Sequence, residues 1–284
     1  MQRWQIGDVN ITRIIETEDT SMAAEIMLPE ATPANVLPIE WLKPHFIDAD
    51  GNLIASIFSL LIESQGKKIV VDTCLGNDKQ RTVPEWHERQ GAFLDEIAHA
   101  GFPREAVDIV ACTHLHPDHV GWNTMLIDGE WRPTFPGARY LFSSLDWDWL
   151  DQQPVTPLGD YCGDSVRPVF AADQADLIVP DHQITEEVWL ESTPGHSPGH
   201  VSVRISSQNQ HAIITGDLIH HPCQMARPRW CSTFDFDRQQ ALQTREYFLQ
   251  KFCGEPVLVI GSHFSTPTAG HIVADGDAYR FDTE

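Results

Sequence analysis

The segment His114-Leu115-His116-Pro117-Asp118-His119 places three imidazoles and one carboxylate within six consecutive positions. Imidazole and carboxylate are the ligands that a borderline divalent cation such as zinc accepts. Immediately before it, Val107-Asp108-Ile109-Val110-Ala111-Cys112 is short, apolar and β-branched, the pattern of a buried strand. The cluster is therefore expected in the loop at a strand's carboxyl end, where α/β proteins usually place their chemistry. Pro117 is expected to break any helix or strand there, so that a turn splays the ligands.

Three later strand ends also carry ligand-type side chains. Thr193-Pro194-Gly195-His196-Ser197-Pro198-Gly199-His200 follows a strand expected over Glu187–Ser192. Its two histidines are four apart, but the prolines and glycines rule out a helix that would present both on one face. His196, nearer the strand's end, is the expected ligand, and His200 is expected to hold the loop by hydrogen bonds. Ile213-Ile214-Thr215-Gly216-Asp217 and Val257-Leu258-Val259-Ile260-Gly261-Ser262-His263 repeat the pattern, each an apolar run ending on a candidate ligand. Val70-Val71-Asp72-Thr73 ends another strand in a carboxylate, expected to orient a ligand imidazole from its far side.

His114, His116, Asp118, His119, His196, Asp217 and His263 together make five imidazoles and two carboxylates. One catalytic zinc takes three protein ligands and leaves a position open. Seven ligands divide into two metals that share one carboxylate. Two such ions, about 3.5–4 Å apart, can hold a hydroxide between them and polarise a substrate oxygen. The expected chemistry is hydrolysis with two divalent ions, zinc first and manganese, iron or cobalt otherwise.

These residues need elements to position them. The chain has 284 residues, of which 42% are hydrophobic, enough for a substantial core. Opening strands over residues 3–17 turn at Gly7-Asp8. Residues 18–52 form an arm in which Pro29, Pro33, Pro38 and Pro44 punctuate Met22, Ile26, Met27, Leu28, Val36, Leu37 and Trp41. That arm suits a cover over a pocket, a face between two copies in a homodimer, or a loop over the core. Ser56–Glu63 and Lys67–Thr73 read as a hairpin, Glu85–Ala100 as a helix stopped by Gly101-Phe102-Pro103, Ala138–Ser143 as a strand and Ser144–Leu150 as a short helix. An irregular insertion over 151–175 precedes strands at Asp176–Val179, Glu187–Ser192, Val201–Ser206 and His211–Thr215. A helix over 237–252 and a strand at Pro256–Gly261 follow. This order suits an α/β fold of two mixed sheets packed face to face with helices outside, and a single domain over 1–284.

Composition narrows the partners. Nineteen basic against 41 acidic side chains give a formal net charge of -22, which disfavours nucleic acid and anionic membrane surfaces. Six cysteines without a C-x-x-C pair suggest reduced thiols. The first eight residues lack the apolar core of a signal peptide, and no apolar run approaches the ~20 residues that span a bilayer. A cytoplasmic protein acting on a small molecule is expected.

His114-Leu115-His116-Pro117-Asp118-His119 resembles the H-x-H-x-D-H signature of metallo-β-lactamase-fold hydrolases, and His196, Asp217 and His263 follow in that superfamily's order. The resemblance spans about residues 56 to 265. It implies an αββα sandwich with the metals at the loop edge of the sheets. It also implies His114, His116 and His196 on one metal, Asp118, His119 and His263 on the other, and Asp217 bridging. True β-lactamases commonly lack a histidine after the aspartate, and flavodiiron proteins carry glutamate where His116 stands. Glyoxalase II is similar in the loop 193–200 but binds its glutathione thioester with a basic C-terminal cluster, whereas Arg280 is the only Lys or Arg beyond His263. Quorum-quenching lactonases often have tyrosine three residues after the bridging carboxylate. This chain has His220, as in the methyl parathion hydrolase and dihydrocoumarin hydrolase branch.

The resemblance thus implies a bridging hydroxide that opens lactones or cleaves aryl and other carboxylic esters. Organophosphate triesters are the alternative, and a glyoxalase II-like thioesterase or a mononuclear iron dioxygenase lies further off. Asp118 is the expected proton shuttle and His220 the expected donor to the substrate. Trp122, Trp230, Phe46, Met225 and His221 are candidates for an apolar pocket suited to neutral, partly apolar substrates.

Overall fold

Consecutive apolar residues such as Leu60-Leu61-Ile62 and Ile69-Val70-Val71 are fully buried only where both faces of a strand are covered. The computed structural model, which describes residues 1–20, 27–153 and 155–283, covers both. Leu60, Ile62, Ile69 and Val71 point into the space between two sheets, whereas Leu61 and Val70 pack beneath outer helices.

In chain order the strands are β1 (Gln2–Ile6), β2 (Val9–Asp19), β3 (Ala55–Ser64), β4 (Lys67–Val71), β5 (Ile109–Ala111), β6 (Thr124–Ile127), β7 (Glu130–Pro133) and β8 (Arg139–Ser143). They continue as β9 (Ala175–Ile178), β10 (Val188–Ser192), β11 (Val201–Ser207), β12 (Gln210–Ile214), β13 (Val257–Ile260), β14 (Ala269–Asp275) and β15 (Ala278–Asp282). One sheet has the order β1-β2-β3-β4-β5-β8-β9 and the other β10-β11-β12-β13-β14-β15, with β6-β7 a separate hairpin. Both sheets are mixed, because β4, β5, β8 and β9 run parallel, as do β12 and β13. Among the described residues the α-helices include α1 (Pro33–Val36), α2 (Phe93–His99), α3 (Pro117–Val120), α4 (Ser144–Leu150), α5 (Tyr161–Ser165), α6 (Arg167–Ala171), α7 (Cys223–Ala226) and α8 (Arg238–Phe252).

Three apolar layers hold these parts together. Phe93 and Ile97 of α2 meet the outer face of the first sheet. Phe58, Ile62 and Leu141 meet Val203, Ile205 and Ile214 between the sheets. Phe248, Leu249 and Phe252 of α8 meet Ile213 and Val259 on the far face of the second. The result is the expected αββα sandwich. Among the described residues no helix is long and apolar enough to cross a membrane.

The arm adds Met27, Leu28, Val36, Leu42 and Phe46 to the layer beneath α8, so it is built into the outer core. Met22 and Ile26 lie outside the described residues. Elsewhere the structure differs from the expected elements. The helix expected over Glu85–Ala100 is a 3-10 turn at Pro84–Trp86 followed only later by α2, since Glu88 adopts a positive φ and breaks any continuous winding. Pro117 does not abolish helix: it occupies the first turn of α3, where its missing N–H costs nothing. The insertion over 151–175 contains α5 and α6. The hairpin β6-β7 turns at Asp128-Gly129, both at positive φ, a turn signal present in the sequence but not used. The tail pairs as β14-β15.

The loops after β4 and β5 leave the same sheet edge and clasp each other. Thr73 N–H donates to His119 O at 2.7 Å, Gly121 N–H to Cys74 O at 2.7 Å, and Trp122 N–H to Thr73 O at 2.8 Å. The approach is so close that a Cβ at Gly121 would lie 1.8 Å from Leu75 O, a backbone atom that has no side-chain freedom to move. Gly121→Ala should therefore destabilise the fold by about 1–3 kcal/mol through overpacking. Urea unfolding reads this directly, and an unchanged midpoint would show that the loops separate without cost.

Candidate metal centre

Every candidate ligand lies just beyond the carboxyl end of a strand, β5 in the first sheet and β10, β12 or β13 in the second, and backbone geometry decides how each is aimed. After β5, His116 stands in extended conformation as the N-cap of α3, and the short helix turns Asp118 and His119 inward. After β12, Gly216 at φ +56 makes the turn into Asp217, and a Cβ there would lie 2.4 Å from His200 Nε2. After β13, His263 is locked to β3: its Nδ1–H donates to Ser56 O at 2.9 Å, while Ser56 N–H donates to His263 O at 3.0 Å.

Partners on the far sides of the rings settle which nitrogen faces inward. Asp72 accepts Thr113 N–H at 2.7 Å, Thr113 Oγ1–H at 2.8 Å and His119 Nδ1–H at 2.8 Å. Because the Thr113 hydroxyl gives its proton to Asp72, it accepts the Nδ1–H of His114 at 3.1 Å. His196 Nδ1–H donates to Asp235 at 3.0 Å. In each case Nε2 is left for the centre. His200, expected to hold its loop, also holds a neighbour: its Nδ1–H donates to Thr193 O at 2.9 Å, and its Nε2 accepts Asp217 N–H at 2.8 Å. Burial keeps His200 neutral, with its pKa lowered to about 3.

Asp217 lies in the middle. Its Oδ1 is 3.4 Å from His119 Nε2 and 3.2 Å from His263 Nε2. Its Oδ2 is 3.4 Å from His196 Nε2 and 3.8 Å from His114 Nε2. Asp118 Oδ2 is 3.6 Å from His119 Nε2 and 3.5 Å from His263 Nε2. His116 Nδ1 meets His196 Nε2 at 2.9 Å. Ligands about 2.0–2.1 Å from a tetrahedral cation stand about 3.3 Å from one another, so these edges have the size such an ion requires. The donor set is nitrogen and oxygen throughout, and His114 Nε2, His119 Nε2 and Asp217 Oδ1 are buried without a hydrogen-bond partner among the described residues. The side chains present fit the binding of divalent cations.

Burial and the neighbouring carboxylates act on these rings in opposite directions. Burial pushes His114, His116 and His220 well below the ordinary imidazole value, leaving neutral rings. Burial pulls His119 in that direction too, but Asp217, Asp118 and Asp72 outweigh it and raise His119 well above 6.5. Burial opposes the charge of Asp217, yet His263, His119, His220 and His114 hold it well below the usual carboxylate range.

A cavity of about 30 Å³ opens above this cluster, with Asp118, Asp217, His220 and His263 on its floor. Its apolar walls are Met27, Trp86, Leu158 and Phe234. His220 stands with Nε2 3.4 Å from Asp217 Oδ2, and neither ring nitrogen has a hydrogen-bond partner among the described residues. A larger concavity of about 1040 Å³ beside Arg81 and Trp131 contains none of the converging side chains.

The expected pocket residues lie elsewhere. Trp122 stacks on Phe93 and donates its Nε1–H to Glu16 at 2.7 Å. Phe46 packs edge-on against His221, Phe264 and Phe281, and Met225 is buried in the same outer layer. His221 donates Nε2–H to Phe46 O at 2.8 Å and accepts Cys223 N–H at 3.1 Å. Trp230 packs against that layer too. These side chains stabilise the core because the loops that carry them turn inward behind the site. Sequence reasoning missed Asp235 and the walls Trp86, Leu158 and Phe234; Asp235, Leu158 and Phe234 sit in irregular segments without periodicity, and Trp86 ends a 3-10 turn.

Comparison with known proteins supplies the family. A family profile described as the metallo-beta-lactamase superfamily matches residues 55–251. No curated protein sequence matches the chain. Among solved structures, the chain is similar to AidC, a dizinc quorum-quenching lactonase in complex with a product, with TM-score 0.80 and 21% identity over 100% of this chain and 97% of that one. It is also similar to the hydrolase AbOPH of the beta lactamase superfamily, with TM-score 0.77 and 22% identity over 99% and 96%. A probable metal-dependent hydrolase from Staphylococcus aureus gives 0.73 and 19% over 99% of each chain. At such identities the likeness is one of fold, and it extends over the whole length. With its profile match, its two mixed sheets and its loop-edge cluster, this chain belongs to the metallo-beta-lactamase superfamily.

Proposed function

We propose that the protein is a dinuclear metal-dependent hydrolase that opens lactones or cleaves aryl and other carboxylic esters, with neutral phosphotriesters as the alternative substrates. The observation that carries this reading is the division of the buried Asp217 carboxylate between two sets of imidazoles beneath an apolar cavity. His114, His116 and His196 would hold one cation, Asp118, His119 and His263 the other, and Asp217 both. When bound, the cations supply Lewis-acid polarisation and make water acidic enough to ionise near neutral pH, zinc by its preference for this donor set, with manganese, iron or cobalt also compatible.

The remaining tasks fall to the chain's own side chains. Asp118 reaches the cavity and carries a proton to the leaving oxygen. His220 offers a ring N–H to the substrate's oxygen, and Gln224 Oε1 steadies its backbone by accepting His220 N–H at 2.8 Å. Met27, Trp86, Leu158 and Phe234 exclude water and seat an apolar group. Among the described residues neither Lys nor Arg lines this cavity, so an anionic substrate would find no counter-ion there. That favours lactones, neutral esters and neutral triesters, and the fold shared with AidC, a dizinc lactonase, supports the lactone side. Arg280 pairs with Asp282 on β15 and is not available as a glutathione-binding cluster. A mononuclear dioxygenase would leave Asp118, His119 and His263 gathered without a task. All six cysteines are free thiols, which supports a reducing compartment, and we place the protein in the cytoplasm.

The substrate class is tested by a hydrolysis panel of lactones, aryl esters, phosphotriesters and thioesters on the metal-loaded protein. Turnover confined to thioesters would overturn the reading. Asp217→Ala should lose bound metal together with activity, and elemental analysis that still finds two ions per chain would refute its shared role. His220→Phe should lower turnover about 10²- to 10³-fold, the usual scale for one oxyanion donor, with metal content intact. An unchanged rate would remove His220 from the mechanism.

A further inference from the structure

Asp235 lies outside the converging cluster, yet it ties one of the cluster's imidazoles to the wall of the cavity. It sits in the loop between α7 and α8, and its side chain is only 1% exposed. One carboxylate oxygen accepts His196 Nδ1–H at 3.0 Å, and the other accepts Ser232 N–H at 2.9 Å. The backbone on either side is zipped to the loop of His196: Phe236 N–H donates to His196 O at 3.0 Å and Asp237 N–H to Gly195 O at 2.9 Å. Asp237 then caps α8 by accepting the N–H groups of Gln239 and Gln240, both at 3.0 Å. Phe234, on the other side of Asp235, is a cavity wall. Three residues in four thus serve the pocket, the imidazole and the helix in turn.

Asp72 does for His119 what Asp235 does for His196, from a different layer of the fold. The two rings then face opposite oxygens of Asp217, His119 toward Oδ1 and His196 toward Oδ2, each at 3.4 Å. A carboxylate that accepts Nδ1–H fixes the tautomer and strengthens Nε2 as a donor, an effect typically worth about 10–100-fold in metal affinity. We infer that Asp235 is the positioning residue of one cation site alone, whereas Asp72 orients His119 of the other directly and reaches His114 of the first only through Thr113, so that substitution of Asp235 weakens the first site without the second. This rests on the reading of His119 and His196 as metal ligands proposed above.

Zinc affinities measured by graded chelator competition test it. The wild-type protein should bind two ions. Asp235→Ala should weaken one of them about 10–100-fold and leave the other near its wild-type value. Asp235→Asn keeps an oxygen for the Nδ1–H without the charge, so it should fall between, and it serves if the alanine variant does not fold. In a His196→Ala background, the remaining ion should be indifferent to Asp235→Ala but weakened by Asp72→Ala, a distinction that general loosening of the fold would not produce. Two ions weakened equally by Asp235→Ala and Asp235→Asn, or not at all, would overturn the inference while leaving the dinuclear reading intact. A wild-type protein that binds fewer than two ions would remove both.

Discussion

A carboxylate buried among imidazoles is the constraint on which the rest of this structure depends. Asp217 is 4% exposed, and a buried charge of that kind is costly unless it is matched by opposite charge and hydrogen bonds. Here different sets of rings face its two oxygens, which is why those rings must all reach one point. Its backbone is held as firmly as its side chain. Gly216 supplies the turn, and His200 accepts the N–H of Asp217 from below.

The convergence is a property of the sheets. Parallel pairing of β4 with β5 and of β12 with β13 sends four carboxyl ends to one edge. Each end then delivers a polar side chain to buried surroundings, while the apolar alternation along the strands stays intact on both faces. Orientation comes from the opposite direction. Thr113, Asp72, Asp235 and Ser56 each take an Nδ1–H, so four rings turn their Nε2 atoms inward. These hydrogen bonds set which nitrogen of each ring faces inward.

The cavity above the cluster has a different origin. Met27 comes from the N-terminal arm, Trp86 from a 3-10 turn, Leu158 from the insertion and Phe234 from the loop before α8. None of these segments contributes a candidate ligand, so the walls can vary without disturbing the centre. Phe234 is the exception, because its neighbour Asp235 is bonded to His196.

The sequence by itself determined the ligand-type residues and the layered fold. Both are written in short-range terms: apolar runs that require two covered faces, each followed within a few residues by imidazole or carboxylate. The places of His196 and Asp72 at the sheet edge were legible for the same reason, since distance from a strand's end decides which side chain reaches the edge. Only the tertiary structure decided the pocket. Trp122, Phe46 and Met225 have the composition of a binding surface, but their loops turn behind the site and bury them in the core. Asp235 was invisible for the converse reason: its partner is 39 residues away, and nothing local in Phe234-Asp235-Phe236 distinguishes an acid that orients a ring from one that faces solvent. Strand ends are local facts of a sequence, whereas the walls of a cavity are set by segments that meet only when the layers close.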